Sequence, residues 1–192
     1  MNEPARFVLP PALLAQLRER RAKHRAHRSE HAVVTRPSLI ATFKTLIDSP
    51  RPDVTKAATV FVDGMDALQH EVEDAKDAFL LDPGMGPMTY LTGDGRVLKD
   101  HRSWDGDALR EATLDDAIAA LVVGAKKTGI NGLLDLVPAC PEDGSRCPRC
   151  EGERWDKPLR EHGLEIICGL CRGRGWMTPV LLEAARARGA TA

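Results

Sequence analysis

Aromatic residues are scarce in this 192-residue chain: one Tyr, four Phe and three Trp, 4% in all. A core without large rings must rest on Leu, Val, Ile and Ala, and the 43% hydrophobic content is that of an ordinary globular protein. An excess of charge of one sign is also lacking. The formal net charge is −1, so global charge selects neither nucleic acid nor a membrane surface as partner. No apolar run approaches the ~20 residues that span a bilayer. The start of the chain lacks the pattern of a secretory signal. Met1-Asn2-Glu3 has no basic character, and the apolar stretch from Phe7 to Leu17 is short and broken by Pro10 and Pro11. The expectation is a cytoplasmic protein with no membrane contact.

Catalytic motifs are missing as well. The chain contains no GxSxG, no HExxH and no GxxxxGK[ST]. Asp63 with Asp66 or Asp82 could do acid–base or metal chemistry, but solvated carboxylates at turns are the commoner outcome. Gly84 and Gly86 could approach a phosphate, yet Pro83 and Pro87 remove N–H donors from that loop. No catalytic residue is assigned, and a non-enzymatic role is the expectation.

Cysteine is sparse too, at five, but four of the five form a pattern. Cys147-Pro148-Arg149-Cys150-Glu151-Gly152 is followed, 21 residues on, by Cys168-Gly169-Leu170-Cys171-Arg172-Gly173. The same shift puts Trp155 on Trp176. The two copies therefore predict one local structure built twice. CxxC, 17 intervening residues and a second CxxC fall within the spacing of a four-cysteine zinc site. Zinc takes four soft ligands at tetrahedral corners, and a CxxC turn supplies two of them. Gly152 and Gly173, two residues past each second cysteine, sit where a left-handed backbone is needed. One structural Zn2+ per chain, held by Cys147, Cys150, Cys168 and Cys171, is the reading adopted. A rubredoxin-type iron site, a disulfide or redox pair, and unmetallated thiols are the alternatives. A catalytic zinc is disfavoured, because four cysteines leave no position open for water. Cys140 reads as a spare thiol, and His162 as a bystander between the knuckles.

The motifs CxxCxGxR and CxxCxGxG resemble the repeats of the DnaJ-type cysteine-rich zinc domain. The resemblance implies paired repeats around a zinc on a β-hairpin-like scaffold. The same four cysteines would be the ligands, and Gly152, Gly173 and Gly175 the turn glycines. It covers about residues 146–177, and the first repeat departs from it with Arg154 in place of glycine. Two repeats imply one zinc. No His-Pro-Asp tripeptide of a J-domain is present.

Elsewhere, periodicity predicts an α+β fold: a small, mainly antiparallel sheet with flanking helices, plus the C-terminal four-cysteine zinc module. Residues 1–36 read as a basic N-terminal helical arm, with Leu13, Leu14 and Leu17 as its only apolar stripe. Residues 17–28 carry six Lys/Arg against one Glu. A helix polar all round is solvated, partner-bound or marginal. The body spans 37–138. A helix opens at Pro37-Ser38 and buries Leu39, Ile40, Phe43, Leu46 and Ile47. Strand, helix and strand follow over 57–82. A hairpin comes next, with Gly93-Asp94-Gly95 between Met88–Thr92 and Arg96–Lys99. Residues 101–110 read as loop, with Trp104 plugging the sheet edge. Thr113 caps a helix whose stripe is Leu114, Ala117, Ile118, Leu121, Val122 and Ala125, closed by Gly129. Leu133–Val137 continues as a short second helix. The linker and module span 139–177, and a helix opening at Thr178-Pro179 lies in 178–192.

Function is expected to follow from the module: a zinc-binding interaction or adaptor protein of regulatory, chaperone-like or immunity type. It would present Arg149, Arg154, Trp155, Arg172, Arg174 and Trp176 to a protein partner, since guanidinium and indole groups are enriched at interfaces. The alternative is nucleic-acid binding by the basic helix and the knuckles.

Overall fold

A computed structural model describes residues 5–26, 69–82, 88–100 and 109–187. The expected helix after Pro37, the strand at 58–62, Asp63, Asp66, the loop at 83–87 and Trp104 lie outside the described residues. Among the described residues the architecture is α+β. Helical residues 11–26 (α1) and 69–75 (α2) precede four strands: Ala78–Asp82 (β1), Met88–Thr92 (β2), Val97–Asp100 (β3) and Leu109–Glu111 (β4). They form one antiparallel sheet in the order β1-β2-β3-β4.

The hairpin is tightened by its own side chains. The Thr92 hydroxyl donates to Asp94 and accepts from the Arg96 N–H, and the Gly95 N–H donates to the Thr92 carbonyl at 2.9 Å. Gly95 has φ +83 and faces the chain's own start. The Phe7 N–H donates to the Gly95 carbonyl at 2.8 Å, and a Cβ on Gly95 would lie 1.7 Å from the Phe7 carbonyl oxygen. Only glycine lets segment 5–10 lie across the turn.

β4 corrects the sequence reading, which placed residues 101–110 in a loop. Leu109-Arg110-Glu111 is too short to show alternation. It becomes a strand because β3 offers its free edge, pairing Leu98 with Glu111 and Asp100 with Leu109.

The helix Leu114–Thr128 (α3) is specified locally. The Thr113 side chain accepts from the Asp116 N–H, acids fill the first turn and lysines the last, and Gly129 closes it in the left-handed region at φ +73. Its ends therefore oppose the helix dipole as they should. Ala117, Ile118, Leu121, Val122 and Ala125 are buried as the stripe requires, whereas Leu114 is exposed. Ala120 and Gly124 widen the buried face. A Cβ on Gly124 would lie 2.9 Å from Leu81 Cδ2, so a missing side chain sets how closely α3 approaches β1. A 3₁₀ turn, Asn131–Leu136, follows and buries Leu133.

The core sits between α3 and the sheet: Phe79, Leu81, Leu91, Val97, Ile118 and Leu121 are its centre. On the sheet's other face Val72 meets Ala78, Met88 and Tyr90.

α1 joins this body instead of standing off as a solvated arm. Leu13 and Leu17 enter the main core. The arginines beyond them find acids and carbonyls far along the chain. Arg18 and Arg21 pair with Asp77 at 2.7 and 2.8 Å, and Arg25 pairs with the buried Glu73 at 2.9 Å. Arg20 donates to the Thr128 carbonyl at 3.0 Å, at the negative end of α3.

The C-terminal third carries Ser145–Arg146 (β5), Lys157–Glu161 (α4), Trp176–Met177 (β6) and Pro179–Ala187 (α5). β5 closes the segment up to Arg146 that reads as the linker to the module, for which no strand was expected. It pairs antiparallel with β6.

Candidate metal centre

Each knuckle is a short turn that folds the chain back through its cysteines. In the first, the Glu151 N–H donates to the Cys147 carbonyl and the Glu153 N–H to the Cys150 carbonyl, both at 2.8 Å. In the second, the Arg172 N–H donates to the Cys168 carbonyl at 2.8 Å and the Arg174 N–H to the Cys171 carbonyl at 3.1 Å. Gly152 and Gly173 take φ +93 and +84. The residue before each glycine is left-handed too, Glu151 at φ +53 and Arg172 at φ +54. CxxC spacing alone gives no sign of that second left-handed position.

The knuckles are related by a pseudo-two-fold. The Cys147 N–H donates to the Gly175 carbonyl at 3.0 Å, and the Cys168 N–H to the Arg154 carbonyl at 2.9 Å. Arg146 pairs with Trp176, and Ile167 with Trp155. The strand entering each knuckle thus pairs with the strand leaving the other. Arg154 occupies Gly175's place and adopts its backbone, at φ +72 against φ +82.

This exchange brings the four sulfurs together. Their Sγ atoms all lie within 4.8 Å of one another, and all four residues are buried. Cys147 and Cys168 are 3.8 Å apart across the knuckles, and Cys150 and Cys171 are 3.7 Å apart. Four sulfurs about 2.3 Å from a tetrahedral centre are about 3.8 Å from one another, so the donor set fits an ion at its centre. No disulfide joins any of the five cysteines. His162 and Cys140 are exposed and lie outside the four-sulfur group.

The electrostatics show why such a group calls for a cation. Burial pushes the Cys147 thiol up to about 11. Cys168 accepts from the Cys171 thiol and from the N–H groups of Cys171 and Leu170, which pulls it down to about 5. Cys171, as donor to Cys168 and deeply buried, is pushed far above the ordinary thiol range. Four thiolates buried this close together would require a positive charge among them.

The module is anchored to the body through α3. Arg174, 8% exposed, donates to Asp115 at 2.5 Å and to the Cys171 carbonyl. A Cβ on Gly173 would lie 3.5–3.6 Å from Val122 and Ala119, so the second knuckle's tip rests on the helix surface. Trp155 and Ile167 pack against the main core, and Lys126 sits 4.8 Å over the Trp155 ring while pairing with Glu165. On the far side, Leu170, Met177 and Ala185 pack around the cysteines, with Leu181 and Leu182 of α5 beside them.

Of the six residues singled out as an interaction surface, the structure spreads the roles. Arg174 and Trp155 lie at the junction with α3. Arg149 pairs with the buried Asp156 at 2.6 Å. Trp176 is half-buried, and its Nε1–H donates to the Pro138 carbonyl at 2.9 Å. Arg154 is half-buried, with Nη1 enclosed and lacking a hydrogen-bond partner. Arg172 is exposed. Sequence reasoning missed Asp115 and Asp156 as their partners, although Asp156 is legible in retrospect as the cap of α4, accepting from the Leu159 N–H at 3.2 Å.

Asp82, once a candidate acid, is bound by Lys127. No helix among the described residues is long and apolar enough to cross a membrane.

Fold and site define an α+β protein with a four-cysteine group that could hold a metal ion. No family model matches the chain, so none supports the DnaJ-type resemblance, and neither curated proteins nor solved structures give a match.

Proposed function

We propose that this is a non-enzymatic zinc-binding interaction protein, in which one structural Zn2+ ties the two knuckles together. The observation that carries the reading is the closed donor set: four buried cysteine sulfurs within 4.8 Å of one another, which would leave a bound ion no open position for substrate. Zinc suits four thiolates without redox chemistry, and when bound it would supply the cross-link that a segment of ~30 residues needs to hold its shape. A reducing compartment such as the cytoplasm suits five free thiols.

The interaction surface belongs to the knuckles. Arg172 at one tip, with the half-buried Arg149, Arg154 and Trp176, offers guanidinium and indole groups for a protein partner. The nucleic-acid reading loses its main support, because Arg18, Arg21 and Arg25 of the basic helix are engaged by Asp77 and Glu73.

Chelation tests the structural role. Trp155 and Trp176 each follow a knuckle, so tryptophan fluorescence reports on the module. A high-affinity chelator is expected to red-shift that emission and expose the 145–177 segment to protease, while leaving most helical circular dichroism intact. An unchanged spectrum and protease pattern after complete metal removal would contradict the proposal.

A further inference from the structure

The pseudo-two-fold presents the same molecular face twice, and among the described residues only one copy is filled by the protein's own body. On the second knuckle that face is Gly173, Arg174 and Ile167, whose Cγ2 would lie 3.6 Å from a Cβ on Gly173. α3 lies on it, with Ala119 and Val122 against the glycine and Asp115 receiving Arg174. The 21-residue shift carries these positions to Gly152, Glu153 and Arg146. The likeness holds in three dimensions: the Arg146 stem lies 3.9 Å from a Cβ on Gly152, as Ile167 does beside Gly173. The atom nearest such a Cβ is the module's own Gly175 carbonyl oxygen, at 3.8 Å, and both Arg146 and Glu153 are exposed.

Resting on the reading of the module as an interaction unit, we infer that the Arg146–Gly152–Glu153 face is a second helix-docking site, which takes an α-helix of a protein partner. The chemistry of that helix follows from the two exchanges. Gly152 keeps the close approach, so a small residue must face it. Glu153 stands where Arg174 stands, so the helix carries a cation where α3 carries Asp115. A helix N-terminus there adds its own partial positive charge. Arg146 stands where Ile167 stands, so an acidic side chain replaces the apolar one at the place of Val122. Glu153 is held by Arg160 at 2.9 Å at the surface, where such a pair exchanges at little cost.

A hydrocarbon-stapled peptide of residues 113–128 carrying Asp115→Lys and Val122→Glu is the probe, with the staple on the face away from Ala119. Its binding to the full chain is measured by fluorescence polarisation, beside the stapled parent sequence, with zinc content determined on the same sample. The redesigned helix is expected to bind one to one, at least 10-fold more tightly than the parent, and to lose at least 10-fold on Arg146→Glu. Equal binding of the two helices, or none to zinc-loaded chain, overturns the inference and leaves the zinc reading standing. Self-association that Arg146→Glu abolishes also overturns it, by giving the face to a second copy. A chain that purifies without zinc removes the underlying reading and this inference with it.

Discussion

Arg154 shows how a repeat can be kept in shape and broken in sequence. It holds φ +72, where its counterpart Gly175 holds φ +82. A side chain in that region costs about 1 kcal/mol or more, and its enclosed Nη1 adds a guanidinium N–H without a hydrogen-bond partner. Arg154→Gly is therefore expected to stabilise the module by about 0.5–1 kcal/mol in denaturant titration. Gly175→Ala should do the reverse and cost about 1–3 kcal/mol, since its Cβ would also lie 2.8 Å from the Gly152 carbonyl oxygen. Asp77 carries a pH signature. Hydrogen bonds from Arg18, and then Arg21, hold its carboxyl below the ordinary value of 3.8. Its folded pKa is thus depressed, so its contribution is present above about pH 4 and is lost as pH falls through the folded value. Denaturant midpoints of the wild type and Asp77→Asn should differ at pH 6 and converge toward pH 2–3. A gap that persists there would contradict the assignment. The clustering of the four cysteines and the turn glycines were legible because a CxxC turn acts over three or four residues. Arg174 was not, because Asp115 lies 59 residues away and only the packed fold brings the two together.

Helix α3 is the element on which both halves of the molecule depend. Its cap, stripe and terminal glycine are local features, and each could be read from Thr113 to Gly129. One face packs on β1, and the surface near Asp115, Ala119 and Val122 receives the second knuckle. Leu121 is fully buried at the centre, so Leu121→Asp places an unpaired carboxylate in the core. That variant is expected to lose cooperative thermal unfolding, a cost of more than about 4 kcal/mol. A retained transition within a few degrees of the wild type would show that α3 is not central. Among the elements that escaped the sequence reading, β4 and β5 share a physical reason. β4 and β5 have three and two residues, and their strand character comes from the edge that receives them. The basic helix α1 was legible as a helix, but its docking on the body was not. Its apolar stripe is short, and ion pairs to Asp77 and Glu73 fix the rest, which no periodicity records.

At the scale of the whole molecule, body and module are one packed unit among the described residues. The Arg174–Asp115 pair, the Gly173 contact with α3 and the Trp155–Lys126 stack join them. Arg174→Ala should cost about 1–2 kcal/mol, less than a fully buried pair because Asp115 is partly exposed. It should also speed amide hydrogen exchange in the first turns of α3 while leaving the metal content of the chain unchanged. Unaltered exchange there would mean that the pair does not fasten the module. The sulfur cluster governs the same junction from the other side, because Cys171 immediately precedes the Arg172–Arg174 turn that reaches the helix. Metal content by elemental mass spectrometry, on the wild type and on Cys168→Ser, tests this account most directly. One zinc per chain is predicted, lost in the variant together with protease resistance of the C-terminal third. A metal-free wild type that keeps that resistance, or one that carries iron with visible absorption, would contradict it.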